Sequence, residues 1–358
     1  MPVLKSGNLF LALLLLAAGC STPTRRTPVP PPDWEGANTI HIIPQPQPTP
    51  QPPRQPEPQP AITNLVTPSW IPLAQWSRSN GFDAPQRLTG GTQASYAVTT
   101  PRGVLAVKSG SRTARWDGMT VQLGYAPQET NGHLFVHSLD ARKNLQPLLA
   151  AAPLPARNSR IIVIDPGHGG INAGTKSVLG NHYEKEYTLD WAKRLAPLLA
   201  TNGWTVFLTR TNDTDIALSN RVAFAEAYHA DLFLSLHFNS AAPNTEPNGL
   251  ETYCLTPTGM PSSLTRDFED NLALVFPNNS FDDQNLQYAA CIHRALLGVN
   301  GDADRGIAHA RFMGVLRGQR RAAVLLEGGY LSNPREARRI ADPAHRAKLA
   351  EAVANALR

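Results

Sequence analysis

Cysteine is scarce in this chain, with three in 358 residues, at positions 20, 254 and 291. Cysteines so few and so dispersed argue against a cysteine-ligated zinc site. A dominant charge is also missing. Lys and Arg number 33 against 28 Asp and Glu, a net charge of +5 and a pI of about 9.2. There is no long basic run, zinc finger, RNA-binding signature or basic aromatic stripe, so nucleic acid is excluded as a partner. The mild positive balance remains compatible with an anionic surface or polymer. No apolar run is long enough for a membrane-spanning helix; the longest, Leu9 to Ala18, is too short. A length of 358 residues predicts one or two folded domains.

What is present begins with a targeting segment over residues 1–20. Lys5 precedes the apolar run, and Ala17-Ala18-Gly19-Cys20 closes it. This ending resembles a bacterial lipobox, which implies lipidation of Cys20 and a membrane anchor at that residue. Ala17 stands where that pattern prefers Leu, Val or Ile, so ordinary signal cleavage is the alternative. Either way the protein is exported. Ser21 after Cys20 implies, by the habit of such lipoproteins, the periplasmic side of an outer membrane. Cys254 and Cys291 are then either one disulfide or two buried thiols.

Residues 21–62 alternate proline with polar residues, as in Pro44-Gln45-Pro46-Gln47-Pro48. Such a stretch buries nothing and predicts a disordered, extended linker. At about 3.1 Å per residue it reaches on the order of 100 Å when fully extended. From 63 to 152 short apolar stretches alternate with Gly-rich breaks, which predicts a small β-rich domain of unknown role. Trp70, Trp76 and Trp116 suit either a sugar-stacking face or a core, and the core is the expectation.

Residues 158–358 alternate strand and helix patterns. Buried runs fall at 161–165, 204–208, 232–236, 250–255 and 323–326. Amphipathic patterns fall near 187–201, 218–229, 285–298 and 343–357. The predicted class is α/β, a mainly parallel twisted sheet with helices on both faces. Residues 257–284, rich in Pro, Asn and Asp, break the rhythm and read as an insertion near the active edge.

Four side chains stand out. His168, His237 and Glu327 each follow an apolar strand pattern, and ligands in open α/β sheets gather at carboxyl ends of strands. Glu184 opens a predicted helix after a loop rich in Gly and Asn. Two His and one Glu are a ligand set of catalytic Zn2+, which keeps one position open. Glu327 then remains as the proton shuttle. Asp165 is expected to orient a ligand from behind. His182, His229, His293 and His309 lack comparable settings, and of these His182 and His309 are the candidates for a place near the site. Glu251 is either a further site carboxylate or a surface position on an edge strand, and the surface position is the expectation.

Four motifs carry a resemblance over about 160–358. They are Val163-Ile164-Asp165-Pro166-Gly167-His168-Gly169-Gly170, Gly180-Asn181-His182-Tyr183-Glu184-Lys185, Ala230-Asp231 through Leu236-His237-Phe238-Asn239, and Val324-Leu325-Leu326-Glu327-Gly328-Gly329-Tyr330-Leu331-Ser332-Asn333. Together, and in this order, they resemble the zinc-dependent N-acetylmuramoyl-L-alanine amidases of the amidase 3 type. The resemblance implies zinc on His168, Glu184 and His237, with Glu327 as the catalytic group. It implies peptidoglycan as substrate, cut between N-acetylmuramic acid and L-alanine. Arg210 and Arg221 fall where that family has arginines, and Asn239 and Arg221 are further candidates near the substrate. Asn172-Ala173-Gly174 replaces the family's usual Asp-Pro-Gly. Some relatives carry an inserted helix that blocks the site until an activator protein moves it. The alternatives are a zinc carboxypeptidase-like peptidase and a catalytically silent peptidoglycan-binding lipoprotein.

Overall fold

The computed structural model describes residues 70–358, apart from 92, 157–159, 266–269 and 301–302. Residues 1–69, with the signal segment, Cys20, the Pro-rich linker and the start of the β-rich region, lie outside the described residues. In chain order the strands are β1 (Trp70–Pro72), β2 (Gln86–Thr89), β3 (Ser95–Thr100), β4 (Gly103–Lys108), β5 (Thr113–Trp116), β6 (Met119–Gln122), β7 (Gln128–Thr130) and β8 (His133–His137). They continue with β9 (Arg160–Pro166), β10 (Trp204–Leu208), β11 (Leu232–Asn239), β12 (Leu250–Cys254), β13 (Asp304–His309) and β14 (Ala322–Tyr330). The helices are α1 (Leu73–Ser79), α2 (Ser138–Asp140), α3 (Gln146–Leu148), α4 (Glu184–Thr201), α5 (Leu218–Ala227), α6 (Asp282–Asn300), α7 (Gly314–Arg317), α8 (Pro334–Ala341) and α9 (Pro343–Ala356).

Ile161-Ile162-Val163-Ile164 is β-branched throughout, without alternation, and suits a strand covered on both faces. It forms the body of β9, which pairs in parallel with β10 on one side and β11 on the other. β11 pairs in parallel with β14, β14 antiparallel with β12, and β12 in parallel with β13. The expected mainly parallel sheet is therefore present, within a larger mixed one. Because β10 and β11 flank β9, the loop after β9 opens at a point where strand order reverses, where ligand sites form.

α4, α6 and α9 cover one face of the sheet. In α4 the side chains of Trp191, Leu195 and Leu199 recur at helical spacing and are fully buried. Each contributes about 1.5–3 kcal/mol of burial. Glu186 accepts the Tyr183 N–H at 3.3 Å and steadies the first turn, and Gly203 follows the end with φ 90°. α5 and α7 cover the other face through Ala225, Val315 and Leu316.

The segment before β9 joins the same sheet. β2 to β6 form an antiparallel meander whose last strand pairs with β13 at Val121 and Ile307. Asp304 accepts the Thr120 N–H at 2.6 Å and lies 3.1 Å from Arg115 Nη1. Trp76 and Trp116 are buried in the core, as expected. Cys254 and Cys291 are both free thiols.

Two expectations are corrected by the direction of β12. Its carboxyl end points away from the rim carrying Glu327, since Glu251 pairs with Glu327 and Tyr253 with Leu325. The described part of 257–284 starts from that far end. Asn278 Nδ2 donates to the Arg321 carbonyl at 2.7 Å, and Asn285 Oδ1 accepts the Ala323 N–H at 2.8 Å. Both contacts are at the amino end of β14, roughly 13 Å of strand from Glu327. The described part of the insertion is therefore at the edge opposite the candidate site. His309 ends β13, which runs beside β12, and its Nε2 meets Asn144 Oδ1 at 2.9 Å in the interior. It too is remote from the site.

Candidate metal centre

The turn after β9 is clamped by two buried arginines. Arg210 Nε donates to the Pro166 carbonyl at 2.9 Å and its Nη2 to Gly167 at 2.8 Å. Arg221 Nη1 donates to Pro166 at 3.0 Å and its Nη2 to the His168 carbonyl at 2.8 Å. Three successive carbonyls are thus fixed, and His168 is held at φ 61°, a region costly for a non-glycine residue. Burial and the neighbouring Arg221 charge push Arg210 down to about 10. Asp165 does not reach an imidazole, as was expected of it. It receives Arg221 Nη1 at 2.6 Å, Thr209 Oγ1 at 2.6 Å and Ser235 Oγ at 2.8 Å. Burial alone would raise its carboxyl, but the Arg221 charge and these donors hold it below the usual range.

His168, Glu184 and His237 come together, with one ligand atom from each inside 4.8 Å of the others. Glu184 is the first residue of α4 and is buried. Its Oε2 lies 3.0 Å from His168 Nε2 and accepts the Thr175 N–H at 3.1 Å. Its Oε1 lies 2.9 Å from His237 Nδ1 and accepts the Phe238 N–H at 3.1 Å. Burial opposes its ionisation, but the two imidazoles win and hold it far below the usual carboxylate range. Burial lowers His168 too, yet its bond to Glu184 leaves it raised overall. His168 Nδ1 meets Asn172 Oδ1 at 2.8 Å, so Nε2 is the nitrogen turned to the cluster. Asn172 was noticed in the sequence only as a departure from the family motif.

Glycine is required at two places around this cluster. A Cβ on Gly167 would lie 2.3 Å from His237 Cε1, and one on Gly174, at φ 69°, 2.7 Å from Glu184 Oε2. The donor set fits zinc. Two imidazole nitrogens and a carboxylate oxygen within 4.8 Å of one another are the donor types and number that a catalytic zinc takes.

Glu327 lies beside the cluster, as the partner of His237 on the neighbouring strand. Its residue is half-buried, and among the described residues its Oε2 has no hydrogen-bond partner. Its carboxyl is held well above the usual range, first by burial, then by the charges of Glu184 and Glu251. A carboxylate beside the cluster with an oxygen left unbonded is placed to take and return a proton.

Glu251 is not the edge-strand surface residue that its sequence setting suggested. β12 lies between β14 and β13, and Glu251 is the direct partner of Glu327. Its Oε2 accepts Asn239 Nδ2 at 3.0 Å and the Tyr330 hydroxyl at 3.4 Å. Asn239 therefore sits at the rim, joined to Glu251. His182 is mostly exposed and bonds Glu186 at 2.7 Å, away from the three donors.

The Amidase_3 family, described as N-acetylmuramoyl-L-alanine amidase, matches residues 162–358. N-acetylmuramoyl-L-alanine amidase LytC of Bacillus subtilis is 28% identical over 290 residues, 77% of this chain and 48% of that protein. The probable cell wall amidase LytH of Staphylococcus aureus is 34% identical over 200 residues, 56% of this chain and 57% of that one. The chain thus spans about half the length of these curated relatives. The solved catalytic domain of CwlV, an amidase from Bacillus (Paenibacillus) polymyxa var. colistinus, is 30% identical, with a TM-score of 0.46, over 55% of this chain and 96% of that domain. With the family match covering more than half of its residues, the chain belongs to the Amidase_3 family.

Proposed function

We propose that this chain is a zinc-dependent cell-wall hydrolase that cleaves the amide between N-acetylmuramic acid and the L-alanine of peptidoglycan. The observation that carries the reading is the convergence of His168, Glu184 and His237 within 4.8 Å, with His237 paired to Glu327 on the neighbouring strand. His168, Glu184 and His237 hold the metal, and Asn172 keeps the His168 tautomer that ligation needs. Bound there, a zinc ion supplies Lewis acidity to the scissile carbonyl and to water. Glu327 takes a proton from the attacking water and delivers it to the leaving nitrogen, acting as base and then acid. Arg210 and Arg221 fix the His168 backbone, and Asp165 fixes Arg221.

The reading extends to the chain's setting. The protein is exported and lipid-anchored through Cys20 on the periplasmic side of an outer membrane, with 21–62 as its tether. An activator protein is compatible with this arrangement, and nucleic acid is not a partner. Among the described residues no helix is long and apolar enough to cross a membrane.

The test is digestion of purified peptidoglycan by the full chain, with and without a chelator, read by mass spectrometry. The expected products are glycan strands with intact muramic acid and peptides with a free L-alanine amino terminus. Chelation should stop their release and added zinc should restore it. Cleavage at another bond, or release indifferent to chelation, refutes the reading.

A further inference from the structure

We infer that Arg305 forms a carboxylate-binding subsite beside Glu327, selecting substrates whose peptide carries a free carboxylate close to the scissile amide. The inference rests on the hydrolase reading above and adds the substrate class that the site prefers.

One register row crosses four neighbouring strands. His237 on β11 pairs with Glu327 on β14, Glu327 with Glu251 on β12, and Glu251 with Gly306 on β13. Arg305 precedes Gly306. With strands about 4.8 Å apart, Arg305 lies about 10 Å along the rim from Glu327. That is the reach of about three extended peptide residues. A substrate lying along this rim with its amide at Glu327 brings its next residues to Arg305.

The guanidinium is positioned and has donors to spare. Its Cζ sits 5.1 Å from the centre of the Tyr330 ring, and the side chain is 40% exposed. Stacking on an aromatic face leaves the N–H edge of an arginine turned outward. The nearest carboxylate oxygen, Glu251 Oε2, is 3.9 Å from Arg305 Nε, beyond hydrogen-bond distance. That oxygen already accepts from Asn239 and Tyr330. Among the described residues, no acceptor is within hydrogen-bond distance of the Arg305 guanidinium. A planar fork with free N–H groups matches a carboxylate in two parallel bonds. On a peptide substrate, the anionic groups available are carboxylates.

The test uses the zinc-loaded full chain and synthetic N-acetylmuramoyl peptides in which the carboxylates of the second and third residues are amidated one at a time. Wild type should lose roughly tenfold to a hundredfold in kcat/KM when the recognised carboxylate is amidated. Arg305→Ala should abolish that preference by losing rate on the free-carboxylate peptide alone, and Arg305→Lys should recover part of it. Equal loss on both peptides, the result for a residue that only shapes Glu251, overturns the inference. So does an unchanged preference. Calorimetric binding of the same peptides to Glu327→Gln, with and without Arg305→Ala, needs no turnover. Charge-dependent binding without hydrolysis would sink the hydrolase reading and leave the subsite standing. Hydrolysis without charge preference would do the reverse.

Discussion

Arg221 Nη1 lies 2.6 Å from Asp165 Oδ1, and the two side chains are 2% and 1% exposed. The same guanidinium reaches the carbonyls of Pro166 and His168. The pair therefore sits behind His168, bonding its backbone carbonyl and not its imidazole. It holds the turn in the conformation that aims His168 Nε2 at Glu184.

Asp165→Asn leaves a buried guanidinium without its charge partner. Such breaks cost about 3–5 kcal/mol, which denaturant unfolding at neutral pH will read. The pH dependence has a definite sign. The folded carboxyl of Asp165 titrates below its unfolded value of about 3.9, so its stabilisation is fully present above that pH. It fades as pH falls through the folded value. The stability gap between wild type and variant should therefore narrow below about pH 4. Equal stability at neutral pH would refute the role.

Glu327→Gln keeps the three metal donors and removes the proton carrier. The variant should bind zinc stoichiometrically and lose about 10²- to 10⁴-fold in turnover. His168→Ala and His237→Ala should each lose stoichiometric zinc. Metal analysis beside peptidoglycan turnover decides all three. Wild-type turnover in Glu327→Gln would reassign the proton transfer.

Asn172→Ala tests the support behind His168. Removing an outer partner of a metal-bound imidazole typically costs about 10- to 100-fold in metal affinity. The melting temperature of the metal-free protein should hold, since Asn172 lies in an exposed turn. An unchanged zinc affinity by competition titration would show that the 2.8 Å contact does not set the ligand's tautomer.

Glu251→Gln tests the field on Glu327. The Glu251 charge raises the Glu327 carboxyl, so neutralising it lets Glu327 ionise at lower pH. A general base must be ionised in the free enzyme, so the acid limb of kcat/KM should move to lower pH. A limb that stays put would mean that the two carboxylates do not interact.

Much of the catalytic half was legible in the sequence. The runs that became β9, β11 and β14 lack alternation because parallel strands are covered on both faces. Each ends in a chemical residue that an apolar strand gives no reason to keep. Glu184 was legible from the glycine-rich loop before it and the helix pattern after it. Less was legible where the pattern is thin. β13 contains Asp304-Arg305-Gly306 and only a few apolar residues, so it was missed. α1 carries no clear helical pattern in a region that reads as β-rich, yet Leu73, Trp76 and Ser77 bury one side of a single short helix.

Strand contents, helix faces and the identities of the three donors follow from local order along the chain. Side-chain period and the residue at a strand's end are properties of a few neighbouring positions. The reversal of β12 depends on pairing between segments more than seventy residues apart, such as Glu251 with Glu327. That pairing placed Glu251 beside Glu327 and carried the described part of 257–284 and His309 toward the opposite rim. No periodicity within a single strand encodes which neighbour it will join or in which direction, because both are decided when the sheet assembles.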